Sequence, residues 1–348
     1  MKRGEYMDRT RAGKRNKKNS TPFKRVLKGI LILLLIITIA GLGYAGYLTY
    51  TIKNVADKSY EELDHGKKSD LREEKVTLKS DPVTILLMGV DDYVKNDKGR
   101  TDTLLLMAFN PTSKEVAMVS IPRDTRVYLP SKDKRDKINA AYAYDNEQGA
   151  VDAVQSLIDV PVDYYIKTGV KGFKEVIDEL GGITVDVPFN FKQVDLKNKY
   201  VYFKKGPMTL NGREALAFVQ MRKEDPRGDF GREERQQEAI RAMADKAVSL
   251  NTLTKANRII ETLGSNIKTN IQLNELLGLR TFYEEIQNKE FNRLELEGED
   301  KMINGIYYFV PTQQSVQEVG DELRRVLEIN QNTQASTDLQ DNNSDSNN

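Results

Sequence analysis

Val83-Thr84-Ile85-Leu86-Leu87-Met88 is a nearly unbroken apolar run that stops at Gly89, and Asp91-Asp92 follow at once. Such a run reads as a buried strand. Two more lie downstream. Leu104 to Phe109 ends at Asn110-Pro111, and Val116 to Ile121 ends at Pro122. The Asn110-Pro111-Thr112-Ser113 connection suits a hairpin between the second and third strands. Charge gathers where these runs begin or end: Asp91-Asp92 after the first, Arg100-Thr101-Asp102-Thr103 before the second, Arg123-Asp124 after the third. If the three strands alternate in direction, Asp91, Arg100, Asp102 and Arg123 meet at one edge of one sheet.

Working outward, helical patterns follow. Val151, Val154, Leu157 and Ile158 share one face, as do Phe173, Val176, Ile177 and Leu180, and the latter helix runs into Gly181-Gly182, a C-cap signal. Ile183, Val185 and Val187 alternate as a half-buried strand. Asn211 and Glu214 have capping-box spacing before a short helix. A longer helix starts near Arg232 with Ile240, Met243, Ala247 and Leu250 inward. A late strand, Ile306 to Val310, and a helix over about 314–329 close the domain. Mixed strands and helices predict an α/β, three-layer α-β-α domain with a mixed sheet over 82–330.

Composition narrows the chemistry. The 348 residues include 53 Lys/Arg, 52 Asp/Glu, one His and no Cys. Without Cys there are no disulfides, thiol nucleophiles or Cys-ligated metals. A single His, His65, leaves little room for a Ser-His-Asp triad or a multi-His site. The near-zero net charge of +1 argues against a dedicated nucleic-acid binder. That total hides an asymmetry. Residues 1–53 carry 12 Lys/Arg and 2 Asp/Glu, a balance of +10, which leaves 41 against 50, or −9, for residues 54–348.

Between the two lies Val26 to Tyr50, centred on Ile30-Leu31-Ile32-Leu33-Leu34-Leu35-Ile36-Ile37. Its length suffices for one N-terminal transmembrane helix. The basic arm 1–25 before it predicts an inside N-terminus. The apolar stretch exceeds the roughly 7–15 residues of a secretory signal. We therefore expect an uncleaved signal anchor over 26–50, with cleavage near the small residues Ala40 to Gly46 as the alternative. A charged stalk (51–81) precedes the domain, and a disordered tail (331–348) rich in Asn, Gln, Asp and Ser follows it. Gly41-Leu42-Gly43-Tyr44-Ala45-Gly46 fits the dinucleotide-binding pattern but falls within the membrane segment, where glycines serve helix packing.

Two carboxylates beside two guanidiniums suit Mg²⁺ with a phosphate-bearing substrate. That ion is held by one or two carboxylates plus phosphate oxygens, and Arg forks bind phosphate bidentately. The plain alternative is a set of surface salt bridges of little weight. A second cluster tips the balance. In Arg222-Lys-Glu-Asp-Pro-Arg227-Gly-Asp-Phe-Gly-Arg232-Glu-Glu-Arg235-Gln236-Gln237, four arginines crowd a loop and a first helical turn. Arg232 and Gln236 share a helix face. Gly231 permits close backbone approach, and a helix N-terminus attracts phosphate. If 217–222 is extended, Gln220 and Arg222 share a strand face. Against this, Glu224, Asp225, Asp229, Glu233 and Glu234 would make the run an ordinary solvated face of mixed charge.

Seven stretches together resemble the LytR-CpsA-Psr family of bacterial cell-envelope proteins: Ile85–Asp91, Arg100–Thr103, Ser120–Thr125, Lys137–Tyr142, Glu179–Ile183, Leu210–Leu216 and Asp229–Gln237. They occur in family order across about 85–237. The resemblance implies a phosphotransferase with its domain outside a Gram-positive cell membrane, a single-pass type II protein. It would move an anionic glycopolymer, wall teichoic acid for preference, from an undecaprenyl-pyrophosphate carrier to peptidoglycan through a phosphodiester bond. It further implies catalytic roles for Asp91, Asp102, Arg100 and Arg123, with Asp91 and Asp102 as ligands of Mg²⁺ (or Mn²⁺). Arg100, Arg123, Gln220, Arg222, Arg232 and Gln236 match the pyrophosphate-binding positions. The lipid would lie in an apolar pocket between sheet and helices.

The chain departs from the family at Gln220, where Arg is usual in an Arg-x-Arg pair, so weaker diphosphate binding is expected. The general base is Asp91 or Asp92, unless Asp91 serves the metal alone. Two other readings compete: a lipid-pyrophosphate binder or pyrophosphatase with water as acceptor, and a membrane-bound transcriptional attenuator. The second would need a DNA-binding module, and the basic arm of 25 residues before the membrane segment shows no helix-turn-helix pattern; no nucleic-acid partner is expected.

Overall fold

The computed structural model describes residues 46–329, apart from 92–98, 250–261, 273–274, 276–282, 288–290 and a few single positions including His65. The arm 1–25, the tail 331–348 and nearly all of the expected anchor 26–50 lie outside the described residues. Among the described residues no helix is long and apolar enough to cross a membrane. The chain divides into two units, 1–50 and 51–348. Of the first, only Gly46, Tyr47, Thr49 and Tyr50 are described, all helical.

The second unit is built on the three apolar runs. They form β1 (Val83–Val90), β2 (Thr101–Asn110) and β3 (Glu115–Ser120), an antiparallel meander as the alternating directions require. The β2–β3 turn forms where Asn110-Pro111 predicts it. Buried Asn110 accepts hydrogen bonds from the amides of Thr112 (2.9 Å) and Ser113 (3.1 Å). A second hairpin, β4 (Arg126–Leu129) and β5 (Lys134–Lys137), leads into α1 (Asn139–Ile158). This helix kinks at Asp145-Asn146, where Asn146 has φ of 49°.

Next comes β6 (Tyr164–Gly169), parallel to β1, and α2 (Val170–Leu180), closed by Gly181 at φ of 81° as its C-cap. Then follow β7 (Ile183–Val187), β8 (Phe191–Val194), β9 (Tyr200–Phe203) and β10 (Gly206–Leu210). The helices α3 (Gly212–Gln220) and α4 (Asp229–Ser249) come next, followed by β11 (Ile267–Thr269) and β12 (Asn292–Leu294). Finally β13 (Gly298–Ile303) and β14 (Ile306–Pro311) pair as a hairpin before α5 (Gln313–Leu327).

The central sheet is mixed, in the order β11-β6-β1-β2-β3-β12. Its side chains alternate between two buried faces. Leu86, Met88, Leu104, Leu106 and Val119 pack with Val151 and Val154 of α1 and with Val319 and Leu323 of α5. Ile85, Phe109, Val116 and Tyr164 point the other way, onto Leu78, Ile271 and Ile286. Burial on both faces explains why these strands read as continuous apolar runs rather than alternating ones. The layered α/β expectation with a mixed sheet therefore holds. A second apolar cluster, absent from the sequence reading, joins α2, α3 and α4 with β7, β10 and the β8–β9 hairpin.

Three expectations need correction. Residues 51–81 are not a free stalk: Leu63 and Leu78 are buried in the two sheet cores, and Arg72 forms a near-buried ion pair with Asp163 (2.6 Å). The scattered apolar residues of that stretch are too few for a period, yet Leu63 and Leu78 fill core positions and Val76 packs against the second of them, whereas Leu71 is exposed. Residues 217–220 are not extended. The capping box of Asn211 and Glu214 starts a helix that continues through Gln220. Along α4 the buried positions are Gly231, Arg235, Gln237, Ala239 and Ala242, whereas Ile240 and Met243 are half-buried and Ala247 is exposed. Small side chains let α4 pack closely on the second cluster, and burial there follows closeness rather than hydrophobicity.

Candidate functional site

The charged edge of the sheet is set by the β1–β2 register. Met88 faces Leu104 and Gly89 faces Thr103, but Val90 faces Thr101. Asp102 is thus the extra residue of a bulge. Bulges interrupt the ladder locally and re-aim a side chain. Here the bulge frees Asp102 from the pleat beside the end of β1. Asp91 donates its backbone N–H to the Arg100 carbonyl (3.0 Å), which extends the contact between the end of β1 and the start of β2. Gly99 has φ of 77°, and a Cβ there would lie 2.9 Å from Val90 Cγ1 and against the Asp91 carbonyl, so only glycine allows this approach.

Arg123 arrives from the end of β3. Its Nη1 donates to Asp102 Oδ1 (2.8 Å), and its Nε lies 3.6 Å from Asp124 Oδ2. Asp124 in turn accepts from Lys137 Nζ (2.6 Å). The Pro122–Thr125 turn is fixed by Thr125 Oγ1 donating to the Pro122 carbonyl (2.6 Å) and by the Asn139 amide donating to the Arg123 carbonyl (3.2 Å). Desolvation would lower the guanidinium's pKa. The hydrogen bond to Asp102, with the charges of Asp102, Asp124 and Asp229, overrides it and holds Arg123 above its ordinary value.

That influence of Asp229 links the two clusters. Arg222 Nη2 and Arg232 Nη2 each lie 2.7 Å from the Asp229 carboxylate, one on each oxygen. Arg232 is only 11% exposed, and its Nε has no hydrogen-bond partner among the described residues. Other buried polar atoms without a partner also map to this edge: Thr101 Oγ1 at the start of β2, Asn139 Oδ1 beside the Arg123 turn, and Gln237 Oε1, whose own Nε2 donates to Ser120 Oγ at the end of β3 (3.0 Å). Buried polar groups are normally satisfied. Their concentration at one edge marks a place prepared for a polar ligand.

The second arginine run therefore divides in two. Arg222 and Arg232 face the Asp229 carboxylate. Arg227 pairs bidentately with Glu234 (2.6 and 2.7 Å). Arg235 is buried and structural: it donates to the Phe218 carbonyl (3.1 Å), to the Met221 carbonyl and to Asp225, tying the end of α3 and its loop to α4. Gly231 is needed because the Asp225 carboxylate lies where its Cβ would be, so the close approach there is internal rather than toward a ligand. Gln220, the last residue of α3, is exposed, and Gln236 is half-buried one turn beyond Arg232. Arg100 is exposed beside Gly99. Asp92 lies outside the described residues.

Sequence reasoning missed Asp229 as the shared partner of two arginines. Its spacing of three from Arg232 at a helix start was the available signal. It also missed Glu233, whose carboxyl burial pushes up to about 7, helped by Asp229 and Glu295 and opposed by Arg232.

For a metal, the donor set is oxygen only. Among the described residues no group of three or more His, Cys, Asp or Glu could hold an ion alone. Asp91 and Asp102 supply two carboxylates, and Asp102 gives Arg123 only one of its oxygens. That donor set fits Mg²⁺ shared with phosphate oxygens rather than an all-protein cage.

Comparison with known proteins gives a consistent picture. The profile described as LytR_cpsA_psr family matches residues 46–325. A polyisoprenyl-teichoic acid–peptidoglycan teichoic acid transferase, TagV of Bacillus subtilis (strain 168), is 40% identical over 322 residues, covering 90% of this chain and 82% of its own. Among solved structures, TagT bound to LI-WTA superposes with a TM-score of 0.66 at 34% identity, over 77% of this chain and all of that one. The family protein YwtF (TagT) with bound octaprenyl pyrophosphate lipid gives 0.63 at 32% identity, over 77% of this chain and all of that one.

Proposed function

The chain belongs to the LytR-CpsA-Psr family, and from that membership we propose that it transfers an anionic glycopolymer from an undecaprenyl-pyrophosphate carrier to peptidoglycan. Wall teichoic acid is the polymer we assign, after the names of its relatives. The observation that carries the reading is the convergence of Arg222 and Arg232 on one carboxylate at the sheet edge that also holds Asp102 and Arg123. Two guanidiniums spaced to grip two anionic oxygens suit a diphosphate.

In the reaction, a hydroxyl oxygen of peptidoglycan attacks the phosphorus that carries the polymer. A new phosphodiester forms, the bond to the bridging oxygen breaks, undecaprenyl monophosphate leaves, and the hydroxyl proton passes to that leaving phosphate or to water. Arg222 and Arg232 hold the diphosphate oxygens. Arg123, kept charged and oriented by Asp102 and Asp124, faces the negative charge that develops on the transferred phosphoryl group. Arg100, Gln220 and Gln236 complete the binding set at its rim. Mg²⁺ (or Mn²⁺), held by Asp91 and Asp102, would neutralise phosphate charge when bound. We place the domain on the outer face of a Gram-positive cell membrane, anchored through 26–50.

The test incubates the full-length chain in detergent with Mg²⁺, lipid-diphosphate polymer and peptidoglycan oligomers. A phosphodiester-linked product is expected. Intact precursor binding without that product would sink the transferase reading, and release of phosphate alone would point to hydrolysis.

A further inference from the structure

The β8–β9 hairpin has two unlike faces. Its pairs are Phe191 with Phe203, Lys192 with Tyr202, Gln193 with Val201, and Val194 with Tyr200. The inner residues Phe191, Val201 and Phe203 are buried, with the Phe191 and Phe203 rings stacked at 4.5 Å and both near Phe218. The outer face shows Tyr200, 53% exposed, and Tyr202, 68% exposed, their ring centroids 6.2 Å apart. Lys192 Nζ sits 4.9 Å over the Tyr200 ring.

Around these rings the hairpin is strongly basic. Residues 190–206 hold five exposed lysines (Lys192, Lys197, Lys199, Lys204 and Lys205) against one acid, a balance of +4 inside a portion of chain whose balance is −9. The one acid does not offset them at the surface. Asp195 is only 5% exposed and is committed inward: it accepts from the amides of Lys197 (2.9 Å) and Lys199 (2.8 Å) and from Arg213. Those bonds, the Lys199 amide first, hold its carboxyl down at about 2.

The face also has a defined neighbour. The Lys192 amide donates to Glu224 Oε2 (3.2 Å), and Glu224 lies two residues beyond Arg222. The basic face therefore begins beside the arginine loop of the proposed diphosphate site.

Resting on the function proposed above, we propose that the outer β8–β9 face is a binding surface for the phosphate-rich polymer chain of the substrate as it extends from the diphosphate. Lysines in β8 (Lys192), in the turn (Lys197, Lys199) and just past β9 (Lys204, Lys205) match a string of phosphodiesters, and exposed tyrosine rings give flat partners for sugar or polyol faces. A bilayer fits less well. Surface insertion needs a broad apolar face, whereas here only Val194 and Leu196 are apolar, each less than two-fifths exposed, and an ammonium covers one ring.

The test uses full-length protein in detergent with three probes: lipid-free poly(glycerol phosphate), farnesyl diphosphate, and vesicles of phosphatidylglycerol with phosphatidylcholine. One variant carries Lys197→Gln, Lys199→Gln, Lys204→Gln and Lys205→Gln; a second carries Tyr200→Ser and Tyr202→Ser. We expect polymer affinity to fall about tenfold in the first and about threefold in the second. The first should also show a shallower salt dependence. Farnesyl diphosphate binding and the unfolding midpoint should stay unchanged in both. Unchanged polymer affinity in both variants overturns the proposal, as does a fall in vesicle binding equal to or larger than the fall in polymer binding. Failure of the wild-type chain to bind farnesyl diphosphate, with polymer binding still lost in the variants, would instead count against the transferase reading and leave the polymer surface supported.

Discussion

Arg232 shows how much depends on the shape of one charged group. Its guanidinium is nearly buried, meets Asp229 at 2.7 Å and leaves Nε without a partner. Lysine would keep the charge but lose the fork. Arg232→Lys is expected to lower transfer by about 10–100-fold, with an unfolding midpoint within a few degrees of the parent, as kinetics beside a thermal melt would show. Gln220 gives the opposite case. It is exposed at the end of α3, two residues before Arg222. Gln220→Arg should tighten binding of a diphosphate lipid several-fold, read by titration, and no gain would count against a role for that position. Glu233 connects residue chemistry to stability. With its folded pKa raised to about 7 from 4.5, the folded state takes up a proton between those values. Its favourable contribution is thus present at low pH and is lost as pH rises through about 7. Glu233→Gln should stabilise the fold at pH 8 by on the order of 1–3 kcal/mol and change little at pH 4, as denaturant titration at both values would reveal. The charged residues of the site were legible as residue types at strand ends. Their partners were not, because which arginine meets which carboxylate depends on loops whose course no periodicity reports. Arg235 and Arg232 stand three apart on one helix, yet one clamps carbonyls and the other meets Asp229 beside Arg222.

The bulge at Asp102 and the loop clamped by Arg235 are features of elements rather than of single residues. The antiparallel β2–β3 pair follows from the short turn at Asn110-Pro111 between two apolar runs, whereas the ten residues between β1 and β2 leave that direction a supposition, which the antiparallel register bears out. The bulge did not follow, since Thr101-Asp102-Thr103 has no local composition that marks an extra residue. Likewise the capping box announced α3 but not its extent, and the chain stays helical through Gln220 because Ala215, Leu216, Phe218 and Val219 all find apolar partners in the second cluster. The α3–α4 loop is held by a buried ion pair: the Asp225 side chain is fully buried and that of Arg235 nearly so. Desolvation pulls the Asp225 pKa upward, but hydrogen bonds from the Arg227 amide and from Arg235 hold it below its usual value. Removing one partner strands the other in a dry place. Arg235→Ala is expected to cost about 3–5 kcal/mol in denaturant unfolding, and Arg235→Met with Asp225→Leu together should recover most of that loss.

At the scale of the whole molecule, three apolar clusters share the work of folding, and the segment before the first strand is part of it. Leu63 and Leu78 enter the cores on opposite faces of the sheet, and Arg72 neutralises Asp163 beneath β1. A chain beginning at residue 82 should melt more than about 10 °C below one beginning at residue 51, since two buried leucines and a buried charge partner are lost together. Calorimetry of the two proteins decides it. This tie was hidden in the sequence because 51–81 looks solvated residue by residue, and only the tertiary fold shows that Leu63 and Leu78 are used in its cores while Leu71 stays exposed. The sheet itself ends in strands of three residues on both sides, β11 and β12. Long unpaired borders invite another chain to add itself as a further strand. Here each border is brief and carries a cation at its centre, Lys268 or Arg293, and the Glu61 amide already occupies the Thr269 carbonyl (2.9 Å), so this six-stranded sheet is guarded against fibrous self-association by margins that are short, charged and, on one side, covered.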